Sequence, residues 1–448
     1  MSLSGSAPDP GSALEQAAVT ALGNGTTPVA RRRRGLRSLV AFDHCRVEAP
    51  AFCFAGKTDP VSQLHRLALV CESGAAQPPG ALRGAMAYIA HLAVSLRQGA
   101  GYFRKHAAQV ARRHGVSRSR QVRDLAWCAW RNNQFVRHYY WRGLFLTKDR
   151  ATWLAQLEHR QLTRLLSALN HRLPVQRVAN KFLFAEHARL HGLPVIPTLA
   201  AWNAAGEALM PAAPLPPVDL FIKPLNEYGG VGTVRVPFDP RTGRYDLAGE
   251  GLTSETLRAR LAVRAAGQGC LLQAHQINCA ASAALFGQSE LASLRIVTGL
   301  SPGGEPRVLG AGLRVPSRFT TLGHDRKVLM ARVDIADGRL GPARFRNACL
   351  EVFPHHPDTG APLEGEHVPG WPALVATALA AHRTYPWMPF IGWDLAMTEA
   401  GPLIIEANVF WSANLVQLPG ATPLAWTGFA ELYLEWYQRL GLPALALV

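Results

Sequence analysis

The stretch Ile391-Gly-Trp-Asp-Leu-Ala-Met-Thr-Glu-Ala-Gly-Pro-Leu-Ile-Ile-Glu-Ala-Asn408 decides how the rest of the chain is read. Two short strands, Ile391–Met397 and Leu403–Asn408, are expected on either side of a turn at Ala400-Gly401-Pro402. Side chains alternate along a strand, so Glu406 and Asn408 share one face, and Leu403, Ile405 and Ala407 share the other. On the first strand Asp394 lies with Gly392 and Ala396, away from Trp393, Leu395 and Met397. A hairpin centred near Ala400 sets Asp394 opposite Glu406, with Cβ atoms roughly 5 Å apart, and like charges so placed destabilise the pair. Either the acids point into water, or a hard divalent cation bound by oxygen ligands compensates them. In the second case Asn408 adds a neutral carbonyl oxygen on the same face.

Outward from this hairpin, 448 residues exceed one ordinary domain, and two or three parts are expected. The formal charge of +16 points to anionic partners, whether nucleotide, phosphorylated substrate, nucleic acid or a membrane face. Cys45, Cys53, Cys71, Cys128, Cys270, Cys279 and Cys349 are scattered and form no Cys-x-x-Cys. Neither a zinc site nor a disulfide framework is indicated, and a reducing cytoplasm fits best. The start, rich in Ser, Gly, Ala and Pro, has no apolar core of a signal peptide. The longest weakly polar run, Gly84–Leu96, is too short to span a bilayer.

Three segments follow from the pattern along the chain. Residues 1–75 read as largely disordered or irregular, with a solvated four-arginine block at Arg31–Arg34. Residues 76–168 read as a basic helical region, apolar at three- and four-residue spacing. Between Arg97 and Arg150 only Asp124 and Asp149 oppose a long series of Arg and Lys, with Trp127, Trp130, Tyr139, Tyr140 and Trp141 interspersed. Such aromatics can stack bases, but on helices they serve more often as core anchors under a basic outer face. Residues 169–445 change to short strands alternating with helices. These include a helix over Val178–His191 closed by Gly192, strands at Val218–Pro224, Val234–Val236, Cys270–His275, Ser293–Leu300 and Arg307–Val315, and a helix over Ser254–Ala266.

Within this last segment Lys223 closes an apolar strand, and Gly229, Gly230 and Gly232 follow within ten residues. Glycines let backbone N–H groups approach a polyphosphate, and a lysine adds a point charge; a tight turn with an exposed lysine reads equally well. Lys181 precedes it near a helix start. Arg295 is the only charge in an otherwise apolar or small strand and Arg314 repeats the situation, so each meets an anion or an internal partner.

In this order, a helix lysine, a strand lysine with a glycine loop, a strand near Gln273, Leu-Arg-Ile-Val, then Asp394 and Glu406-x-Asn408, the chain resembles the ATP-grasp superfamily of ATP-dependent ligases. Ser293-Leu-Arg-Ile-Val-Thr-Gly299, His356-Pro-Asp-Thr-Gly360 and Phe390-Ile-Gly-Trp-Asp-Leu-Ala396 look most like its sugar-transfer-associated group, proposed to act in cell-surface polysaccharide biosynthesis. The resemblance implies an α+β ATP-grasp fold of two α+β subdomains clasping ATP, behind the mainly helical N-terminal region. Lys181 and Lys223 would hold ATP phosphates, Tyr228–Thr233 (Tyr228, Gly229, Gly230, Gly232 and Thr233) would fold over them, and Gln273 with His275 would line the adenine pocket. Arg295 and Arg314 would stabilise the transferred phosphoryl group. Asp394, Glu406 and Asn408 would bind magnesium, two ions for which manganese could substitute.

The implied activity is a cytoplasmic carboxylate–amine ligation through an acyl phosphate, joining a small carboxylate to an amine or sugar-linked acceptor. Kinase chemistry on the same core and a non-catalytic nucleotide-binding scaffold are its alternatives. Nucleic acid is not expected as a partner, while peripheral contact with an anionic membrane surface is compatible with the charge. Three departures from the family pattern stand out: Asn180 replaces an acid before the first lysine, Gln273-Ala274-His275 stands where an acid is usual, and Thr320-Thr-Leu-Gly-His-Asp-Arg-Lys327 replaces an Asp-Asn and two glycines.

Overall fold

The structure is a computed structural model and describes residues 57–73, 81–131, 136–227, 232–287, 290–318, 328–345 and 348–442. The described chain divides into two compact units. The smaller consists of Val175–Ile277 with Leu403–Ala407, and the larger of the remaining described residues.

In the smaller unit, strands β1 (Thr198–Trp202), β2 (Leu220–Pro224), β3 (Val234–Val236) and β7 (Cys270–Ala274) form an antiparallel sheet in the order β1-β7-β2-β3. A second sheet of three short strands, β4 (Phe238–Asp239), β5 (Arg244–Leu247) and β6 (Glu250–Leu252), lies beside the helix Ser254–Arg264. Thr253 caps that helix by accepting a hydrogen bond from the Thr256 amide. Leu220, Ile222, Leu272, Leu257 and Leu261 make the core. The helix expected over Val178–His191 starts at Lys181, because Asn180 takes an extended conformation and caps it.

The larger unit is built on β8 (Ser293–Leu300), β9 (Pro306–Val315), β10 (Leu329–Arg332), β11 (Ala343–Phe345), β12 (Ala348–Phe353) and β13 (Phe390–Thr398); the last strand of the sheet is β14 (Gly401–Asn408), of which Leu403–Ala407 count with the smaller unit. Their order is β12-β11-β10-β9-β8-β13-β14. One face is apolar: Leu294, Ile296, Ala311, Leu313, Trp393 and Leu395 are buried, and the helix Trp371–Arg383 packs on β8, β9 and β13. Under it, Thr298 Oγ1 meets His382 Nδ1 at 2.6 Å and accepts from Trp393 Nε1 at 2.8 Å, so every polar atom of this trio has a partner.

Glycines on the opposite face let another segment cross it. A Cβ at Gly312 would lie 2.2 Å from the Leu415 carbonyl oxygen, and one at Gly392 would lie 2.9 Å from Trp411. Gly312→Ala therefore forces backbone away from backbone and is expected to cost about 1–3 kcal/mol. Urea unfolding checks this, with Gly99→Ala as the control, since a Cβ there meets nothing within 4 Å on a helix. An unchanged midpoint for Gly312→Ala would refute the close packing.

The N-terminal helices belong to this same unit. The helix Pro60–Ser73 forms where the sequence suggested an irregular segment. Its Val61, Leu64, Leu67 and Ala68 recur at helical spacing and join one core with Leu162, Leu165, Leu166 and the C-terminal helix Phe429–Arg439. The helices Ala81–His114, Arg118–Arg131 and Val136–Trp141 share a second core with Leu350 of β12. The aromatics of the basic run act mainly as anchors: Tyr139 and Tyr140 are buried, Trp127 and Trp141 pack against the same core, and Trp130 is exposed. Both acids of the run are structural. Asp124 accepts from Tyr139 Oη at 2.9 Å and pairs with Arg120 and Arg150, and Asp149 caps the helix Arg150–Leu154. The four-arginine block lies outside the described residues.

Candidate active site

In the smaller unit the two lysines come together. Lys181, Lys223, Gln273, Ile196, Ile404 and Ile405 are among the residues lining one cleft of about 280 Å³. Lys181 sits at the first position of its helix because Asn180 Oδ1 accepts from the Phe182 and Leu183 amides at 3.0 and 3.1 Å. The Asn180 Nδ2 donates to Asn226 Oδ1 at 3.0 Å, which an aspartate in its place could not do. The departure from the family pattern at Asn180 thus keeps the cap and adds a tie to the segment after β2.

The Lys181 ammonium donates to the Glu227 carbonyl. Burial pushes its pKa below the ordinary 10.5, against the opposing pull of Glu406 and Glu227. Lys223 is 9% exposed and carries its ammonium 5.8 Å from the Phe221 ring centroid. Phe221 pairs with Gln273 and Lys223 with Leu271 across β2 and β7, which puts Lys223 and Gln273 on one face. Gln273 is 6% exposed, and its Nε2 donates to Ile196 O at 2.9 Å while its Oε1 has no partner among the described residues. An unpaired buried carbonyl of this kind suits a ligand amino group.

His275 stands just beyond β7. Burial lowers its pKa, Arg235 adds to the shift, and Asp219 opposes it. Asp219, which sequence reasoning passed over, accepts from Arg235 and from the Phe238 amide at 2.8 Å. Gly232 has φ +73°, and a Cβ there would lie 2.9 Å from the Pro224 ring, so the residue must be glycine on two counts. Thr233 follows it; Tyr228, Gly229 and Gly230 lie outside the described residues.

In the larger unit the register pairs Asp394 of β13 directly with Arg295 of β8. Arg295 Nε and a terminal nitrogen donate to the two carboxylate oxygens, the latter at 2.8 Å, with the side chains only 13% and 15% exposed. Two residues expected to act separately, one on phosphate and one on metal, are thus each other's partners. Asn408 turns its Nδ2 toward the Gly392 carbonyl (3.3 Å) and Asp394 Oδ2 (3.4 Å). Arg314 lies one pleat along on the same face as Arg295, and its charge opposes the upward pKa shift that burial gives Glu290.

Asp394 and Asn408 are of the oxygen-donor types that magnesium takes, and here the Asp394 carboxylate accepts from Arg295 and from Asn408 Nδ2. Among the described residues no group of three or more His, Cys, Asp and Glu forms a metal centre by itself. His356 is structural: Nε2 meets Pro316 O at 2.6 Å, and Nδ1 accepts from the Asp358 and Thr359 amides at 3.2 Å. Residues 320–327, including His324, lie outside the described residues. No helix among those described is long and apolar enough to cross a membrane.

The paired lysines beside an antiparallel sheet, and a long sheet ending in Asp and Glu-x-Asn strands, define an ATP-grasp fold preceded by helices. The family model for sugar-transfer associated ATP-grasp proteins matches residues 160–427, more than half of the chain. The chain belongs to that family. No curated protein matches.

Solved structures similar to it include the D-cycloserine synthetase DcsG, at 14% identity and TM-score 0.31 over 58% of this chain and 71% of that one. An L-amino acid ligase from Bacillus licheniformis matches at 13% and 0.32, over 57% and 48%. A biotin carboxylase from Campylobacter jejuni matches at 13% and 0.33, over 57% and 46%. The chain thus spans about half the length of the latter two.

Proposed function

We propose that this protein is an ATP-dependent, magnesium-requiring carboxylate–amine ligase. The observation that carries the reading is the convergence of Lys181 and Lys223 on one cleft with the unpartnered Gln273 Oε1, inside a chain of ATP-grasp family. Gln273 Oε1 accepts from the adenine amino group, His275 stands beside the base, and the lysines neutralise phosphate oxygens. Gly232 and Thr233 end the glycine-rich segment that would fold over the phosphates.

Asp394, Glu406 and Asn408 would hold magnesium, which supplies charge neutralisation on the phosphates. An acceptor carboxylate oxygen attacks the γ-phosphorus of ATP, the bond to the bridging oxygen breaks, and ADP leaves. Arg295, oriented by Asp394, and Arg314 stabilise charge on the transferred group. An amine then attacks the acyl phosphate carbon; phosphate leaves, the amine loses a proton, and an amide remains. The family's association with sugar transfer supports a role in cell-surface polysaccharide biosynthesis, with a sugar-linked acceptor and a cytoplasmic location.

A phosphate-release screen of purified protein with ATP against amino acids, sugar acids and amino sugars tests the reading. A ligase frees phosphate and forms an amide; phosphate retained on a hydroxyl of the acceptor would show a kinase, and no turnover with any pair would favour a scaffold. Lys223→Ala is expected to weaken ATP binding about tenfold or more. Equal affinities of mutant and wild type in a nucleotide titration would remove Lys223 from the site.

A further inference from the structure

The longest helix, Ala81–His114, presents a surface that the proposed reaction does not use. The stretch from Ser73 to Arg123 contains no Asp or Glu and many Arg and Lys. Inward, Leu92, Tyr102, Phe103 and Val110 pack into the core that the helix shares with Arg118–Arg131 and Val136–Trp141. Outward, Ile89 and Leu96 are 66% and 65% exposed, and Ala93 and Ala100 are exposed with them.

At about 100° per residue these four positions fall within an arc of about 60°. Arg97 and Arg104 lie within about 40° of its edge, with Lys105 and Arg112 beyond them, and all four are exposed. A single exposed aliphatic is ordinary, but here they form one strip bordered by cations, on a helix whose other side is already packed. A nucleic acid would take up the cations and leave the aliphatic strip in water. An anionic bilayer takes up both: the strip sinks to the acyl boundary, and the long basic stems lie along it with their charges at the lipid phosphates. The 34-residue helix is about 51 Å long, and among the described residues no helix is apolar enough to cross a membrane, so it would lie in the interface plane. The next helix repeats the mixture, with Val122 and Trp130 exposed alongside Arg118 and Arg123.

We propose that the outer face of Ala81–His114 docks the protein on an anionic lipid bilayer. Ile89, Ala93, Leu96 and Ala100 enter the acyl boundary, and Arg97, Arg104 and Lys105 hold lipid phosphates. The contact is peripheral and reversible, because a strip of four small and medium side chains buries little area. Docking needs nothing from the ligase reading and stands or falls separately from it. It gives the basic helical region a partner that matches both its charge and its exposed apolar side chains.

Flotation of the full chain with lipid vesicles tests it, using phosphatidylcholine alone and phosphatidylcholine mixed with phosphatidylglycerol. The chain is expected to float with the mixed vesicles, less so as salt is raised, and to stay behind with the neutral ones. Ile89→Ser combined with Leu96→Ser is expected to lower partitioning about tenfold or more. Arg97→Gln combined with Arg104→Gln is expected to do the same. All four side chains are exposed, so both pairs should melt as wild type does; Leu96→Ser alone provides the reading should the serine pair melt early. Equal flotation with both kinds of vesicle, or none with either, would overturn the proposal. So would a serine pair that floats as wild type does while the glutamine pair loses binding to a duplex oligonucleotide, which would mark a nucleic-acid face. A wild type that is dimeric and binds no vesicles, with a monomeric serine pair, would overturn it in favour of a second copy of the chain.

Discussion

Glu406→Gln is expected to lower ATP-dependent phosphate release by about 10²–10³-fold or more while leaving the fold intact. The change keeps shape and hydrogen-bonding capacity and removes one charge. In the proposed site that charge would be a hard ligand for magnesium, and it also supports the ammonium of Lys181, whose pKa burial already depresses. Without Glu406 the lysine loses its protonated form more readily, so nucleotide affinity should fall along with turnover. Initial rates with ATP, run beside a thermal melt of the same sample, check this. Turnover equal to wild type would remove Glu406 from the metal site and leave the ligand set without its second carboxylate.

Acid is expected to unfold the protein between pH 6.5 and 4, before its carboxylates are titrated. His65 and His382 are fully buried, and burial pushes each imidazole down to about 4. His65 bonds through Nε2 to the Leu154 carbonyl at 2.8 Å, and His382 lies between Thr298 and the Met388 carbonyl. Above pH 6.5 both are neutral in folded and unfolded chains alike and add no pH dependence. Below it the unfolded chain takes up protons that the fold refuses, so stability is lost as pH falls toward 4. Each group contributes about 3 kcal/mol to that loss, and together they rival the 5–15 kcal/mol of a typical domain. Thermal melts at half-unit steps from pH 7 to 4 measure it, and His382→Gln should flatten the slope. A melting temperature constant over that range would show that neither ring resists protonation.

Four strands of the large sheet, β8, β9, β13 and β14, were legible because each is a short apolar run bounded by turn residues, whereas β10, β11 and β12 were not read. Ser293–Leu300 was read without error, and Arg307–Val315 to within one residue. Lys223 at the end of its strand was legible for the same reason. The helix Pro60–Ser73 carried its signal in Val61, Leu64, Leu67 and Ala68, but the low-complexity residues before it obscured the pattern. Asp219 gave no signal at all: a single acid at a strand entrance matters only once Arg235 and the Phe238 amide are folded around it.

By itself the sequence determined the kind of protein this is, since alternation along strands, glycine punctuation and the spacing from Asp394 to Asn408 are local properties written in residue order. It also indicated that Arg295, a charge inside an apolar strand, meets either a bound anion or an internal partner. Which of the two it meets was decided by tertiary structure, through a register that sets Arg295 against Asp394. Likewise only the fold revealed that the N-terminal helices share cores with the large sheet rather than stand ahead of it. Register and packing join residues hundreds of positions apart, and the free energy that selects those pairings belongs to the assembled whole.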